Sequence, residues 1–211
     1  DMEGSDLSVD SALARILDSS PEMVGFGGMI TRYKIVRELG RKLKKEAPGV
    51  FLVAGNSGAT AIPELYLKNA RMDAAVLGEG EVTSVELADA VAAGAEWRTV
   101  PGIAFLDDSG AVARSGKREL HPDLDSLPWP ARDLFPLERY MTSMDHRGRR
   151  ERHLEIVASR GCPFGCSYCY HIYGRTIRRR SPESIVAEVE HIVKRYDVRY
   201  TGFPDDLFTS D

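Results

Sequence analysis

A length of 211 residues allows one large domain or two small ones, and a 43% hydrophobic share suffices to bury ordinary cores. The formal net charge of −4 speaks against a general nucleic-acid binder, which carries a basic balance. No apolar run reaches a membrane span, and residues 1–20 lack a basic start followed by an apolar stretch, so the chain reads as soluble and cytoplasmic.

From residue 7 to about 93 the pattern alternates helix and strand. Leu13, Ile16 and Leu17 mark a short helix before "MVGFGGMI", a run suited to a buried parallel strand. Thr31 is expected to cap the next helix, with inner face Ile35, Val36, Leu39 and Leu43, and Pro48-Gly49 to end it. "VFLVAG" reads as a second strand, "NSGAT" as a loop, and Pro63 as the start of another short helix. "DAAVLG" is a third strand leading to "GEGE" at 78–81. Thr83 and Glu86 then have capping-box spacing for a helix through Leu87 and Val91. "GIAFLDDSGAVARSG" reads as a hairpin turning at Ser109-Gly110.

Such alternation implies a parallel, doubly wound α/β sheet, in which ligands sit beyond the carboxyl ends of the strands. Those ends carry "GGMIT", "GNSGAT" and "GEGE", small or polar loops that suit either tight turns or a ligand. The candidate contacts there are Gly27, Gly28 and Met29; Gly55, Asn56, Gly58 and Thr60; and Gly78, Glu79, Gly80 and Glu81.

Pro122, Pro128, Pro130 and Pro136 rule out a continuous helix or central strand over 119–151, which reads as an ordered linker. "HLEIVAS" at 153–159 is the next expected strand. Ser181-Pro182 opens a helix whose expected buried face is Ile185, Val189, Ile192, Val193 and Tyr196. "VRYTGFP" is a strand ending at Asp205-Asp206. Strand, loop, helix, strand is the opening piece of a parallel barrel, whose catalytic groups occupy loops at the carboxyl end. The chain opens on "DMEGSD" with no preceding strand and closes soon after one has ended, as a piece of a longer protein would.

All three cysteines, Cys162, Cys166 and Cys169, fall within "SRGCPFGCSYCY", in the loop after the 153–159 strand. An odd number in one tight cluster is no disulfide framework, and in a reducing compartment it points to a metal. Soft sulfur ligands select zinc, copper(I) or an iron–sulfur cluster. A structural zinc needs a fourth ligand, for which His171 is placed; a cubane held by three cysteines leaves one iron open.

The spacing C-x3-C-x2-C, with the aromatic Tyr168 before the third cysteine, resembles the signature of the radical S-adenosylmethionine enzymes. The resemblance implies that Cys162, Cys166 and Cys169 hold three irons of a 4Fe-4S cluster. The fourth iron would bind S-adenosylmethionine, and the reduced cluster would cleave it to a 5′-deoxyadenosyl radical. Asp205 and Asp206 stand near where the family holds the methionyl amine, though an acidic turn has the same composition. An electron donor such as flavodoxin or ferredoxin is implied as partner.

A Rossmann-like domain in front of this motif, with "GEGE", "LDSLPWPARDLFP", "RRRSPESIVAEVE" and "DDLFT", resembles the cobalamin-binding subgroup of that family. The implied architecture is a cobalamin-binding-like domain over 1–118, a Pro-rich linker over 119–151, and the start of a radical S-adenosylmethionine partial TIM barrel over 152–211. The implied chemistry is cobalamin-dependent methylation or oxidative cyclisation at an unactivated carbon of a small molecule, lipid or tetrapyrrole-like substrate. With half the barrel missing, the 211 residues alone are expected to be inactive.

Two features depart from the subgroup. Gly27-Gly28-Met29 stands where many members carry S-x-L, and Gly55-Asn56 where they carry G-G. None of His121, His146, His153, His171 or His191 lies in a D-x-H-x-x-G loop that would give cobalt a histidine. Residues 147–180 hold nine arginines against Glu151 and Glu155, a tract that reads as a solvated face or as the lining of an anion-binding cleft.

Overall fold

In the computed structural model, residues 2, 4–144 and 150–209 are described, those at 142–144 and 150 by their backbone alone. They divide into two compact units, Leu7–Leu120 and a second formed by Asp1–Asp6 with His121–Asp211.

The Leu7–Leu120 unit is built on a five-stranded sheet of order β1 (Met23–Phe26), β2 (Phe51–Ala54), β3 (Ala74–Val76), β4 (Ile103–Leu106) and β5 (Val112–Arg114). The first three strands are parallel; β4 and β5 are antiparallel and join through the turn at 107–110. The connecting helices are α1 (Val9–Asp18), α2 (Tyr33–Glu46), α3 (Asn56–Ala61) and α4 (Glu81–Ala92). Ser8 caps α1 by accepting the Ser11 amide, 3.1 Å away.

The pleat divides the side chains between two faces. Ala74, Val76 and Ile103 pack with Leu87 of α4, and Phe51, Val53, Trp97 and Phe105 join them. Leu52, Ala54, Ala75 and Ala104 point the other way and are fully buried too. Both crossovers, β1–α2–β2 and β2–α3–β3, run in the same direction, so right-handedness puts α2 and α3 on that second face.

Close approach dictates Gly40. It lies within α2, where glycine costs about 1 kcal/mol relative to alanine. A β-carbon there would collide with the Ala70 carbonyl and stand 2.9 Å from Met72 Cε. Gly40→Ala is therefore expected to destabilise this unit by about 1–3 kcal/mol despite the better helix former. Urea unfolding measures it; a stabilised variant would refute this packing.

Two expected caps are corrected. Thr31 lies inside a 3-10 turn, Ile30–Arg32, and α2 starts only at Tyr33. Because α4 begins at Glu81, Thr83 is already its third residue and fully buried, donating to the Pro101 carbonyl at 3.3 Å, while Glu86 pairs with Arg118. "NSGAT" is also not a loop, since Asn56–Ala61 forms α3.

The second unit carries β6 (Thr142–Met144), β7 (Arg150–Glu155), β8 (Ser159–Arg160), β9 (Arg178–Arg179), α5 (Pro182–Tyr196) and β10 (Tyr200–Gly202). Strand β7 is central, parallel to β10 and antiparallel to β6. Met141, Ile156, Ile192 and Val198 form the core with Leu137, Leu154, Val189 and Tyr196. The proline-rich stretch is packed into this unit, with three 3-10 turns and with Leu124 and Arg132 buried. Among the described residues, no helix is long and apolar enough to cross a membrane.

Ser181 caps α5 by accepting the Ser184 amide (3.1 Å), with Pro182 in the first turn. The buried face differs at two positions from expectation: Val193 is exposed, and Glu188 is buried. The expected 153–159 strand begins earlier, at Arg150, and its ladder ends when Ile156 donates to Gly202. The next free amide of the turn, on Ala158, goes instead to the Asp205 carboxylate at 2.9 Å.

Candidate functional site

Each unit presents one candidate region. In the Leu7–Leu120 unit, the loops after β1, β2 and β3 are tied to one another. The Gly55 amide donates to the Phe26 carbonyl (2.9 Å), joining the ends of β2 and β1. Thr60 Oγ1 accepts from the Gly78 amide (3.0 Å) and donates to the Asn56 carbonyl (3.0 Å), joining the second loop to the third.

The expected contacts therefore share one end of the sheet, but they differ in surroundings. Gly27 and Gly55 have open space where a β-carbon would stand, whereas buried Gly58 faces the Tyr66 hydroxyl. A β-carbon on Gly80 would stand 3.4 Å from Val76 Cγ1; Gly80 is the N-cap position of α4, Glu81 opens that helix, and Glu79 is half-buried. Gly28 and exposed Met29 lead into the 3-10 turn, and Met29, Ile30 and Ile62 leave large apolar side chains in solvent. Open backbone with an apolar rim suits a large, partly apolar cofactor.

In the second unit, residues 161–177 form the cysteine loop, closed at its base by antiparallel pairing of β8 with β9. Gly161 starts it at φ +91°, where a β-carbon would collide with the Thr176 carbonyl, so only glycine fits. The Cys162 amide donates to Gly174 (3.2 Å) and the Cys169 amide to Cys166 (3.1 Å). All three thiols are free of disulfides. Cys162 is half-buried, and Cys166 and Cys169 are exposed.

Among the described residues, no three Cys, His, Asp or Glu side chains converge as a ligand group. The donor set nonetheless fits a cluster: three soft, unblocked thiols on one loop. His171, the alternative fourth ligand, has Nε2 2.7 Å from the Phe164 carbonyl. Tyr168 is 90% exposed.

Asp205 and Asp206 separate in role. Asp205 Oδ1 accepts from Ala158 N (2.9 Å) and Oδ2 from Ser159 Oγ (2.7 Å), tying the end of β10 to the base of the cysteine loop. Asp206 is exposed.

Several arginines of the tract are engaged within this unit, while Arg175 and Arg179 are exposed. Arg178 is buried and donates to the carbonyls of His121 (2.9 Å) and Tyr173 (3.2 Å). Arg160 stacks on Tyr173, and Arg152 makes a two-pronged pair with Glu138 at 2.7 and 2.9 Å. Hydrogen bonding to Arg152 holds the Glu138 carboxyl below its usual range. His146, Arg147 and Arg149 lie outside the described residues, as does the side chain of Arg150.

Sequence reasoning missed the ionic group beneath the loop. Glu188, 1% exposed, pairs with Arg132 (2.7 Å) and with Arg180, whose side chains are each 9% exposed. Asp125 accepts the Ser181 amide at 3.0 and 3.1 Å, and hydrogen bonds from Ser181 lower its pKa. The available signal was an acid between Ile185, Val189 and Ile192 on the apolar stripe of α5.

Residues 1–88 match the family model described as B12 binding domain. The chain carries a B12-binding domain. Nearly its whole length aligns with curated methyltransferases and cyclases. An uncharacterized methyltransferase of Pyrococcus horikoshii, PH0819, is 30% identical over 94% of this chain and 43% of its own length. The anaerobic magnesium-protoporphyrin IX monomethyl ester cyclase of Rubrivivax gelatinosus is 32% identical over 95% of this chain and 36% of its own. The chain thus spans well under half the length of these relatives.

Among solved structures, the cobalamin-dependent S-adenosylmethionine radical enzyme OxsB, with aqua-cobalamin and S-adenosylmethionine bound, superposes with a TM-score of 0.79 at 21% identity. That match covers 100% of this chain and 29% of the other. It shows the shared fold: the B12-binding domain is the Rossmann-like α/β sheet expected from the alternation of strand and helix.

Proposed function

We propose that the complete protein is a radical S-adenosylmethionine enzyme that methylates or oxidatively cyclises an unactivated carbon with the help of cobalamin. Cys162, Cys166 and Cys169 would hold a 4Fe-4S cluster, and the loops around Gly27, Gly55 and Gly78 would hold the corrinoid. When bound, the cluster supplies the electron that cleaves S-adenosylmethionine, and cobalamin supplies a carrier for the methyl group.

The observation that carries the reading is the cysteine loop itself. Three unblocked thiols stand on one loop following a β-strand, while His171, the alternative fourth ligand, has its Nε2 2.7 Å from the Phe164 carbonyl. The protein's own residues anchor that loop: Gly161 turns it, Asp205 bonds its base, and exposed Tyr168 lies beside the third thiol. Asp206, free of the bonds that occupy Asp205, is the carboxylate suited to the methionyl ammonium.

Anaerobic reconstitution with iron and sulfide tests this. The protein is expected to gain a charge-transfer absorption near about 400 nm from cysteine-ligated iron. Stoichiometric zinc with no such band would overturn the reading. Substrate class and electron donor, proposed as a small molecule, lipid or tetrapyrrole and as flavodoxin or ferredoxin, follow from turnover assays of the reconstituted enzyme.

A further inference from the structure

We propose that Arg180 is a positioning residue for the cysteine loop, with Glu188 as its buried anchor. The inference deepens the cluster reading and rests on it. Arg180 is the first residue beyond β9, where the loop's return strand ends. Its amide donates to the Ala158 carbonyl (2.9 Å), and its guanidinium Nη1 donates to the Val157 carbonyl (3.1 Å). Both bonds cross from the far end of the loop to residues just before its near end. One side chain thus helps set the spacing of the two ends, and Cys162 follows only a few residues after Ala158.

The guanidinium plane is fixed by further acceptors. Nη2 donates to Ser184 Oγ (2.9 Å) and to the Ser184 carbonyl (3.2 Å), and Nη1 pairs with Glu188. Glu188 is held on its other side by Arg132, which also donates to the Glu155 carbonyl of β7 at 3.2 Å. Asp125 stands 3.9 Å from Arg180 Nε. The proline-rich segment, α5 and the end of β7 therefore all bear on the residue that closes the loop.

Burying three charges is a poor route to stability, since apolar replacements of such triads are often neutral or better. What the triad provides is a rigid fork in one defined orientation, which lysine cannot reproduce. That orientation is what a loop presenting three thiols to one metal group requires.

The test uses the complete protein. Before reconstitution, alkylation of Cys162 relative to Cys166 by iodoacetamide is read by peptide mass spectrometry. Arg180→Lys keeps the charge but loses the fork, and it is expected to raise that ratio about fivefold by loosening the loop's base. Ser184→Ala removes one hydroxyl and is expected to raise it about twofold. After reconstitution, Arg180→Lys is expected to hold about half the wild-type iron or less. It should also lose the change in the reduced-cluster EPR spectrum that S-adenosylmethionine causes in the wild type.

An alkylation ratio unchanged in both variants overturns the proposal. So does a lower melting temperature with the ratio and spectrum of the wild type, the mark of a purely structural arginine. Should Arg180→Lys fail to fold, the Ser184→Ala ratio decides. A wild-type protein that takes up no cluster sinks the functional reading instead, while the alkylation ratio still judges Arg180.

Discussion

Cys166→Ala in the complete protein is expected to abolish reductive cleavage of S-adenosylmethionine, a loss beyond the roughly 10–100-fold that outer-shell changes cost at metal sites. Cys166 is exposed and bonded to no other sulfur, so its removal leaves no packing defect to confuse the result. Two remaining thiols would leave a second iron without a cysteine, and the substitution removes a ligand outright rather than weakening it. Production of 5′-deoxyadenosine under reducing conditions is the measurement. Any cobalamin affinity, which is proposed to reside in the loops of the Leu7–Leu120 unit, should stay at the wild-type value. Unchanged turnover would mean that the cysteines do not hold the reactive group, and the protein would then be a corrinoid carrier without radical chemistry.

Glu188→Leu is expected to destabilise the second unit by about 3–5 kcal/mol, because it leaves Arg132 and Arg180 buried and uncompensated. By contrast, the exposed Glu190–Lys194 pair on the same helix, at 3.0 Å, is worth about 0.3–0.5 kcal/mol. Urea unfolding followed at Trp129, in a Trp97→Phe background, measures both. Replacing Arg132, Arg180 and Glu188 together by apolar residues of similar volume should recover most of the loss, since desolvation of all three charges is then avoided. A Glu188→Leu variant as stable as the wild type would show that the triad is solvated in solution.

The readable parts of this molecule were those set by short-range covalent order. The crowding of Cys162, Cys166 and Cys169 could be read directly, because the whole motif lies within eight consecutive positions of the chain. The β1, β2 and β3 runs and the Ser181-Pro182 start of α5 were legible for the same reason: strand burial and N-capping leave their mark within a few residues. The homologous relatives bear out the family resemblance that rests on these motifs.

The tertiary structure decided the rest. Thr31 and Thr83 had the right chemistry to cap helices, but packing chose where each helix begins, and a shift of three residues, from Thr83 to Gly80 as N-cap, turned Thr83 into a buried donor to Pro101. Asp205 and Asp206 are adjacent and identical in type. Only the fold bonds one of them to Ala158 and Ser159 and leaves the other exposed. Residue type alone did not single out Glu188 as buried: Arg180 stands eight residues before it, and only the fold brings Arg132, remote in the chain, against it as well. Periodicity assigns a face from residue type alone, whereas the burial of a charge depends on which distant partner arrives to compensate it, and that is settled when the chain closes on itself.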